Sequence, residues 1–161
     1  FVGREGAVSD LVGEKLNEEF VKGVADELGL GSSFVTLIPR RAGGAKKDHY
    51  LALFKPEALT AWPDTEILAP RFDEALCGAH HYRYARFAGQ LQPVRIVVSE
   101  KASQLYDQCF LSRGMKWGDI KPRALLTNEA DAEALHALII QELTPTTFVG
   151  LPHSQALAWL H

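Results

Sequence analysis

Hydrophobic positions in the first third of the chain change from a helical to an extended spacing. One helical face is formed by Phe20, Val21, Val24 and Leu28. Asn17 is the predicted N-cap of this helix, because its side chain can accept a hydrogen bond from a free N–H of the first turn, and Gly29 marks its end. Two β-branched or aromatic runs, Ser33 to Pro39 and His49 to Lys55, then predict neighbouring strands joined by a basic loop.

The rest of the chain alternates between helix and strand. A helix is predicted from Asp64 towards Gly78, with Pro70 either kinking it or marking its start. The other predicted elements are a strand from Pro93 to Val98, a helix from Ser99 to Gly114, an extended run from Ala124 to Leu126, and a helix from Glu129 to Leu143 capped by Asn128. This order predicts an α+β fold, a small mixed β-sheet flanked by helices. The apolar tail, 146–161, is expected to pack on another surface.

Composition limits the size and class of the protein. The chain has 161 residues, 47% hydrophobic and 23% charged, which fits one domain with an appendage and excludes a two-domain enzyme. The net charge of −3 gives no overall attraction for nucleic acid or an anionic membrane. Because the chain starts at Phe1 and its single methionine is Met115, we expect a processed product or a piece of a longer protein.

The two cysteines and the absence of a long apolar run bear on location. Cys77 and Cys109 lack Cys-x-x-Cys spacing and fall on apolar helix faces, which is typical of core packing in a reducing compartment. No run approaches the roughly 18 apolar residues of a membrane-spanning helix, and no targeting segment is recognisable. We therefore expect a cytoplasmic protein with no membrane partner.

Three other features are weak as functional sites. The turn from Gly43 to Lys47 lacks the spacing of a phosphate-binding loop. His80 and His81 are adjacent, whereas metal-binding histidines on a helix are typically four apart, so we predict no metal site. The aromatic and basic run from Tyr82 to Phe87 could stack on nucleic-acid bases, but a half-buried helix with extended arginines explains it better.

The loop from Met115 to Arg123 has a different character. Lys121 precedes Pro122, which favours an extended backbone and so presents the lysine side chain. Gly114 and Gly118 allow movement earlier in the loop. A plain surface turn before an edge strand explains the same residues, and local sequence leaves both interpretations open.

Three ordered groups of segments between Phe1 and Leu126 add context to this loop. They are Phe1-Val2-Gly3-Arg4 with Gly13-Glu14-Lys15-Leu16, then Phe72-Asp73-Glu74-Ala75-Leu76 with Tyr82 to Arg86 and Gly89 to Arg95, and finally Ser112-Arg113-Gly114 followed by Lys121. The first group resembles the hinge crossing of adenylate-forming enzymes. The others resemble the C-terminal domain of the Gretchen Hagen (auxin-responsive) family of acyl-acid-amido synthetases.

The resemblance implies a domain organisation and a reaction. Residues 1–126 would be the C-terminal lid domain, and residues 127–161 a helical extension packing on it or on a partner. The parent enzyme would be an ATP-dependent ligase that forms an acyl-adenylate and then joins the acid to an amino acid amine, while the fragment alone would be inactive. Lys47-Asp48-His49-Tyr50 stands where plant members have Pro-Gly-His-Tyr, which indicates a bacterial-type member.

The resemblance also implies roles for three cations. Lys121 is the expected catalytic residue, because negative charge builds up on the phosphate as the carboxylate attacks and needs a cation beside it. Arg4 and Lys15 are expected at the hinge or in ATP binding. ATP and Mg²⁺ are the implied cofactors, both mainly bound by an absent N-terminal adenylation domain. That domain, the carboxylic acid and the amino acid would be the partners, with no nucleic acid and no membrane.

A free-standing α+β binding or regulatory module is the alternative. The apolar tail and the mixed sheet suit it equally well, and it needs no catalytic role for Lys121. It predicts a gene that begins close to Phe1, whereas the enzyme predicts several hundred preceding residues with a phosphate-binding loop.

Overall fold

A three-stranded mixed sheet forms the centre of the fold, with helices on both faces. The computed structural model describes residues 8–43 and 47–143. The strands are β1 (Val8–Ser9), β2 (Leu16–Asn17), β3 (Phe34–Arg40), β4 (His49–Phe54) and β5 (Arg95–Val98). The helices are α1 (Glu18–Glu27), α2 (Ala58–Ala61), α3 (Thr65–Leu76), α4 (His80–Phe87), α5 (Ala102–Ser112) and α6 (Glu129–Leu143), with a 3₁₀ turn at Trp117–Asp119. The predicted α+β class is confirmed.

Strand β4 lies between the other two strands of the main sheet. It pairs antiparallel with β3 and parallel with β5, so the sheet is mixed, as predicted. The segment after Arg123 adds a short parallel bridge on the outer side of β3: Leu37 N–H donates to the Ala124 carbonyl at 2.8 Å, and Leu126 N–H donates to the Leu37 carbonyl at 3.0 Å. The extended run predicted there is therefore present as an edge contact.

The alternation of side chains along β4 divides the core into two layers. Tyr50, Ala52 and Phe54 belong to the core with α1, α3 and α4, while Leu51 and Leu53 belong to the core with α5 and α6. Since successive residues of a strand point to opposite faces, one apolar strand supplies both cores. All six residues of β4 are buried, which explains why its sequence shows no hydrophobic–polar alternation.

Several helix ends follow the predicted signals, but α5 begins at Ala102 rather than at Ser99, and its N-cap Lys101 makes no side-chain capping bond. The Asn17 side chain accepts from Phe20 N–H at 2.8 Å, and Gly29 adopts a positive φ of 73° just beyond the end of α1. Asp64 caps α3 by accepting from Glu66 N–H. Pro70 lies inside α3, so the alternative that the helix starts at this proline is wrong. Because proline has no N–H, α3 lacks the backbone hydrogen bond that this position would donate to the Glu66 carbonyl.

The segment before α1 contains an element that hydrophobic periodicity does not predict. Strands β1 and β2 form a separate antiparallel hairpin, Val8 opposite Asn17 and Ser9 opposite Leu16. Two residues per strand are too few to show a period of two. Arg4 and the apolar tail, 146–161, lie outside the described residues.

Helix α6 packs on the main sheet. Its Leu135 and Ile139 are fully buried against α5 and β3. Within the described ranges, no helix has the length and apolarity that a bilayer crossing requires.

Candidate functional site

The loop after α5 is the most exposed part of the described chain. Every residue from Leu111 to Asp119 is exposed, including Met115 at 41% and Trp117 at 67%. Lys121, Pro122 and Arg123 are exposed as well. Its cationic side chains are Arg113, Lys116, Lys121 and Arg123. The loop therefore presents cations and apolar groups together at the surface, which is compatible with both interpretations of its sequence.

A buried tyrosine holds the loop where Lys121 lies. The Tyr106 hydroxyl donates to the Lys121 carbonyl at 2.9 Å and accepts from Arg123 N–H at 3.0 Å, so it binds the backbone on both sides of Pro122. Burial raises the pKa of Tyr106 to about 12, which keeps this hydroxyl protonated at neutral pH. Among the described residues, nothing engages the Lys121 ammonium. Lys121 therefore combines a backbone that Tyr106 holds in place with an ammonium that no described residue contacts.

Both ends of the loop are fixed to the helices. At the start, Gly114 adopts a φ of 91°, Met115 N–H donates to the Phe110 carbonyl at 3.0 Å, and Arg113 pairs with Asp131 of α6 at 2.7 Å. Only glycine adopts such a φ readily, so the chain leaves α5 in a direction that other residues would resist. The loop therefore projects from two fixed points.

The downstream end of the loop is bonded to the first residue of α1, next to the hairpin. Ala124 N–H donates to a carboxylate oxygen of Glu18 at 2.9 Å. Glu18 is three residues after Lys15, and Ala124 is three residues after Lys121, so this bond brings the two segments that carry the predicted cations side by side. The sequence contains no signal for this contact, because 106 residues separate its partners.

Lys15 itself occupies an unusual backbone position. It is exposed and has a φ of 48°, a left-handed conformation that non-glycine residues rarely adopt. The preceding Glu14 is 1% exposed and accepts from Leu11 N–H at 2.6 Å, from Val12 N–H at 2.8 Å and from the Tyr50 hydroxyl. Burial, followed by the Glu14 charge, raises the pKa of Tyr50 strongly. Glu14 therefore ties the hairpin to β4 and holds Lys15 outward.

The fold is similar to that of a GH3.15 acyl acid amido synthetase. The two share 21% sequence identity and superpose with a TM-score of 0.60 over 85% of this chain. This chain spans 27% of the length of that synthetase, so the likeness concerns one region of a larger enzyme. Neither a protein-family model nor a curated protein matches the sequence.

A second buried carboxylate lies in the segments that resemble the synthetase family. Asp73 is 7% exposed and accepts from the Tyr82 hydroxyl at 2.5 Å, from Val94 N–H at 3.1 Å and from Arg86 Nε at 3.0 Å. The run from Tyr82 to Phe87 is thus a half-buried helix, α4, with one tyrosine and one arginine committed to the core. Desolvation raises the pKa of Tyr82 well above its usual value, and the Asp73 charge adds to the effect. This cluster joins α3, α4 and the start of β5.

The described residues fit only part of the implied ATP and Mg²⁺ site. Residues 8–43 and 47–143 contain no group of histidine, cysteine and carboxylate side chains that could hold a metal ion. The cleft beside Pro122 and Ala124 has a volume of about 260 Å³, below the about 300–1,000 Å³ usual for a small-molecule pocket. The exposed Lys121 ammonium, in contrast, suits a phosphate oxygen. A second cleft among the described residues, lined by Leu28, Trp62, Arg71 and Glu74 among others, has a volume of about 570 Å³, which lies within that range, but Lys121 lines neither cleft.

The two cysteines lie where burial disfavours a reactive thiolate. Cys109 is fully buried and Cys77 half-buried, and burial raises the pKa of both thiols, which disfavours the nucleophilic thiolate. His80 and His81 are exposed at the start of α4.

Sequence reasoning missed His49, which lies at the start of β4 and is 3% exposed. Burial lowers the pKa of this histidine to about 4. The sequence signal for the burial of His49 was its position at the start of the apolar run that forms β4.

Proposed function

We propose that this chain is the C-terminal lid domain of an ATP-dependent acyl-acid-amido synthetase of bacterial type. Residues 1–126 would form the lid, and residues 127–161 would form a helical extension that packs on it or on a partner. The enzyme would join a carboxylic acid to an amino acid amine through an acyl-adenylate, with release of AMP. The isolated chain would be inactive.

One observation carries the proposal. The fold matches a region of an acyl acid amido synthetase over 85% of this chain, and the likeness is to about a quarter of that enzyme. The exposed, anchored loop with Lys121 supports the same conclusion, because a cation held on an ordered backbone is what an electrostatic catalyst requires. The segments that resemble the family lie in α3, in α4 with the stretch before β5, and at the end of α5 with this loop.

Lys121 would act in the first half-reaction. ATP, when bound together with Mg²⁺ mainly by the N-terminal domain, supplies the adenylyl group that activates the acid. The Lys121 ammonium would compensate the negative charge that develops on phosphate oxygen during attack. A lysine suits this task because its single mobile charge can reach a phosphate and withdraw when a lid turns.

Arg4 and Lys15 would act at the hinge or on the nucleotide. Lys15 is exposed in the hairpin beside the buried Glu14, which leaves its side chain accessible for either role. The main partner would be the enzyme's own N-terminal adenylation domain, which would also bind the carboxylic acid and amino acid. We expect a cytoplasmic enzyme with no nucleic-acid or membrane partner.

The test uses the full-length enzyme and carboxylate-dependent exchange of pyrophosphate into ATP. Lys121→Ala should reduce the exchange rate by about a hundredfold or more, the size of effect that loss of one charge-stabilising group produces. Lys116→Ala is the matched control, because it removes the same charge from an exposed position in the same loop. Exchange at the wild-type rate in Lys121→Ala would overturn the proposal.

The coding sequence upstream of Phe1 gives an independent test. A lid domain requires several hundred preceding residues with a phosphate-binding loop, whereas a free-standing module requires a start close to Phe1. A start codon within a few residues would favour the binding or regulatory module instead.

A further inference from the structure

We infer that Tyr106 is a positioning residue for Lys121, acting through the backbone on both sides of Pro122. The inference rests on the proposed function, since it requires Lys121 to act on the reaction. It extends that function to a residue outside the loop, one whose sequence position predicts only core packing.

The tyrosine ring is a rigid support for its hydroxyl. Tyr106 lies in the middle of α5, is 3% exposed, and packs against Phe110 with the ring centroids 4.8 Å apart. Because the ring is enclosed by the core with Leu126, its hydroxyl has little freedom to follow a moving loop. The loop is therefore held against α5 at the residue where its cation projects.

The two hydrogen bonds of the hydroxyl have complementary directions. The hydroxyl donates to the carbonyl before Pro122 and accepts from the N–H after it, at 2.9 and 3.0 Å. Proline has no N–H of its own, so this hydroxyl satisfies the backbone groups on either side of a residue that cannot donate. Burial raises the pKa of Tyr106 to about 12, far above physiological pH, so the hydroxyl carries the proton that it donates to the Lys121 carbonyl.

The geometry also explains why a hydroxyl so far from the ammonium would affect the reaction. The lysine side chain is long and flexible, so the region that its ammonium can reach is set by where its backbone lies. A displacement of about 1 Å at a catalytic group can reduce a rate by about a hundredfold. Removing the hydroxyl releases the backbone of Lys121 without touching the ammonium.

The experiment compares Tyr106→Phe with wild type in the full-length enzyme, by pyrophosphate exchange. We expect kcat to fall about tenfold or more, with KM for ATP changed by less than about twofold, because the loss concerns the transition state rather than substrate binding. In the Lys121→Ala background, Tyr106→Phe should lower the residual exchange by less than about twofold, since its effect passes through Lys121.

Tyr82→Phe is the matched control. It removes a buried tyrosine hydroxyl that contacts Asp73, away from the loop. The melting temperature should fall at least as much in Tyr82→Phe as in Tyr106→Phe, while the exchange rate of Tyr82→Phe should stay near that of the wild type. The inference is overturned if Tyr106→Phe leaves kcat unchanged, or lowers it equally with and without Lys121. If Lys121→Ala itself retains wild-type exchange, the proposed function fails first.

Discussion

Removing the Asp73 carboxylate tests the account of the buried cluster between α3, α4 and β5. In Asp73→Ala, the Tyr82 hydroxyl and Val94 N–H lose their acceptor, and Arg86 loses its ion partner. The Asp73 and Arg86 side chains are only 11% and 22% exposed, so water compensates little. Breaking a buried pair of this kind costs about 3 to 5 kcal/mol, because an uncompensated charge remains in the interior.

The neighbouring residue offers a control for this substitution. Glu74→Ala removes an exposed contact with Arg71 at 3.7 Å, with side chains 75% and 59% exposed, and should change stability by less than about 0.5 kcal/mol. Urea denaturation followed by circular dichroism measures both free energies of unfolding, and the melting temperature of Asp73→Ala should fall by about 10 °C. If Asp73→Ala costs no more than Glu74→Ala, the cluster does not stabilise the fold and the reasoning is refuted.

Two further predictions concern pH and backbone strain. Burial, with the nearby Arg95 charge, lowers the pKa of His49 from 6.5 to about 4, so the unfolded chain binds a proton that the folded chain does not. The free energy of unfolding should fall by up to about 3 kcal/mol as pH drops from 6.5 to 4. Denaturation curves taken at each pH should show a smaller fall for His49→Asn. An equal fall in the variant and the wild type would contradict this account. Gly114→Ala should lower stability by about 1 kcal/mol, because φ is 91° there while nothing lies within 4 Å of the added Cβ. Gly118→Ala is the control, because an added Cβ there also meets nothing within 4 Å and φ is not positive. If calorimetry gives the two variants equal melting temperatures, backbone strain at Gly114 is not the cause of any loss of stability.

Local sequence was sufficient for the elements whose signals lie within a few residues. The Asn17 cap, the glycine after α1 and the Asn128 cap of α6 all depend on hydrogen bonds or dihedral angles of nearby residues, and each is where the pattern predicts it. The α+β class followed from the order of these elements. The hairpin of β1 and β2 was missed because two residues per strand show no period, and the bond that ties it to β4, from the Tyr50 hydroxyl to Glu14, joins residues 36 positions apart.

The candidate site shows the same division. The sequence by itself determined that Lys121 precedes a proline and is presented on an exposed loop, because that depends on local sterics. Tertiary structure decided what holds the loop: Tyr106 follows the pattern of an ordinary core residue, yet its hydroxyl reaches across 15 residues of chain to the Lys121 carbonyl. Only packing of α5 on the sheet brings these atoms within hydrogen-bond distance. Hydrophobic periodicity shows which side chains are buried. It does not show that the hydroxyl of a buried tyrosine contacts the backbone of a distant loop.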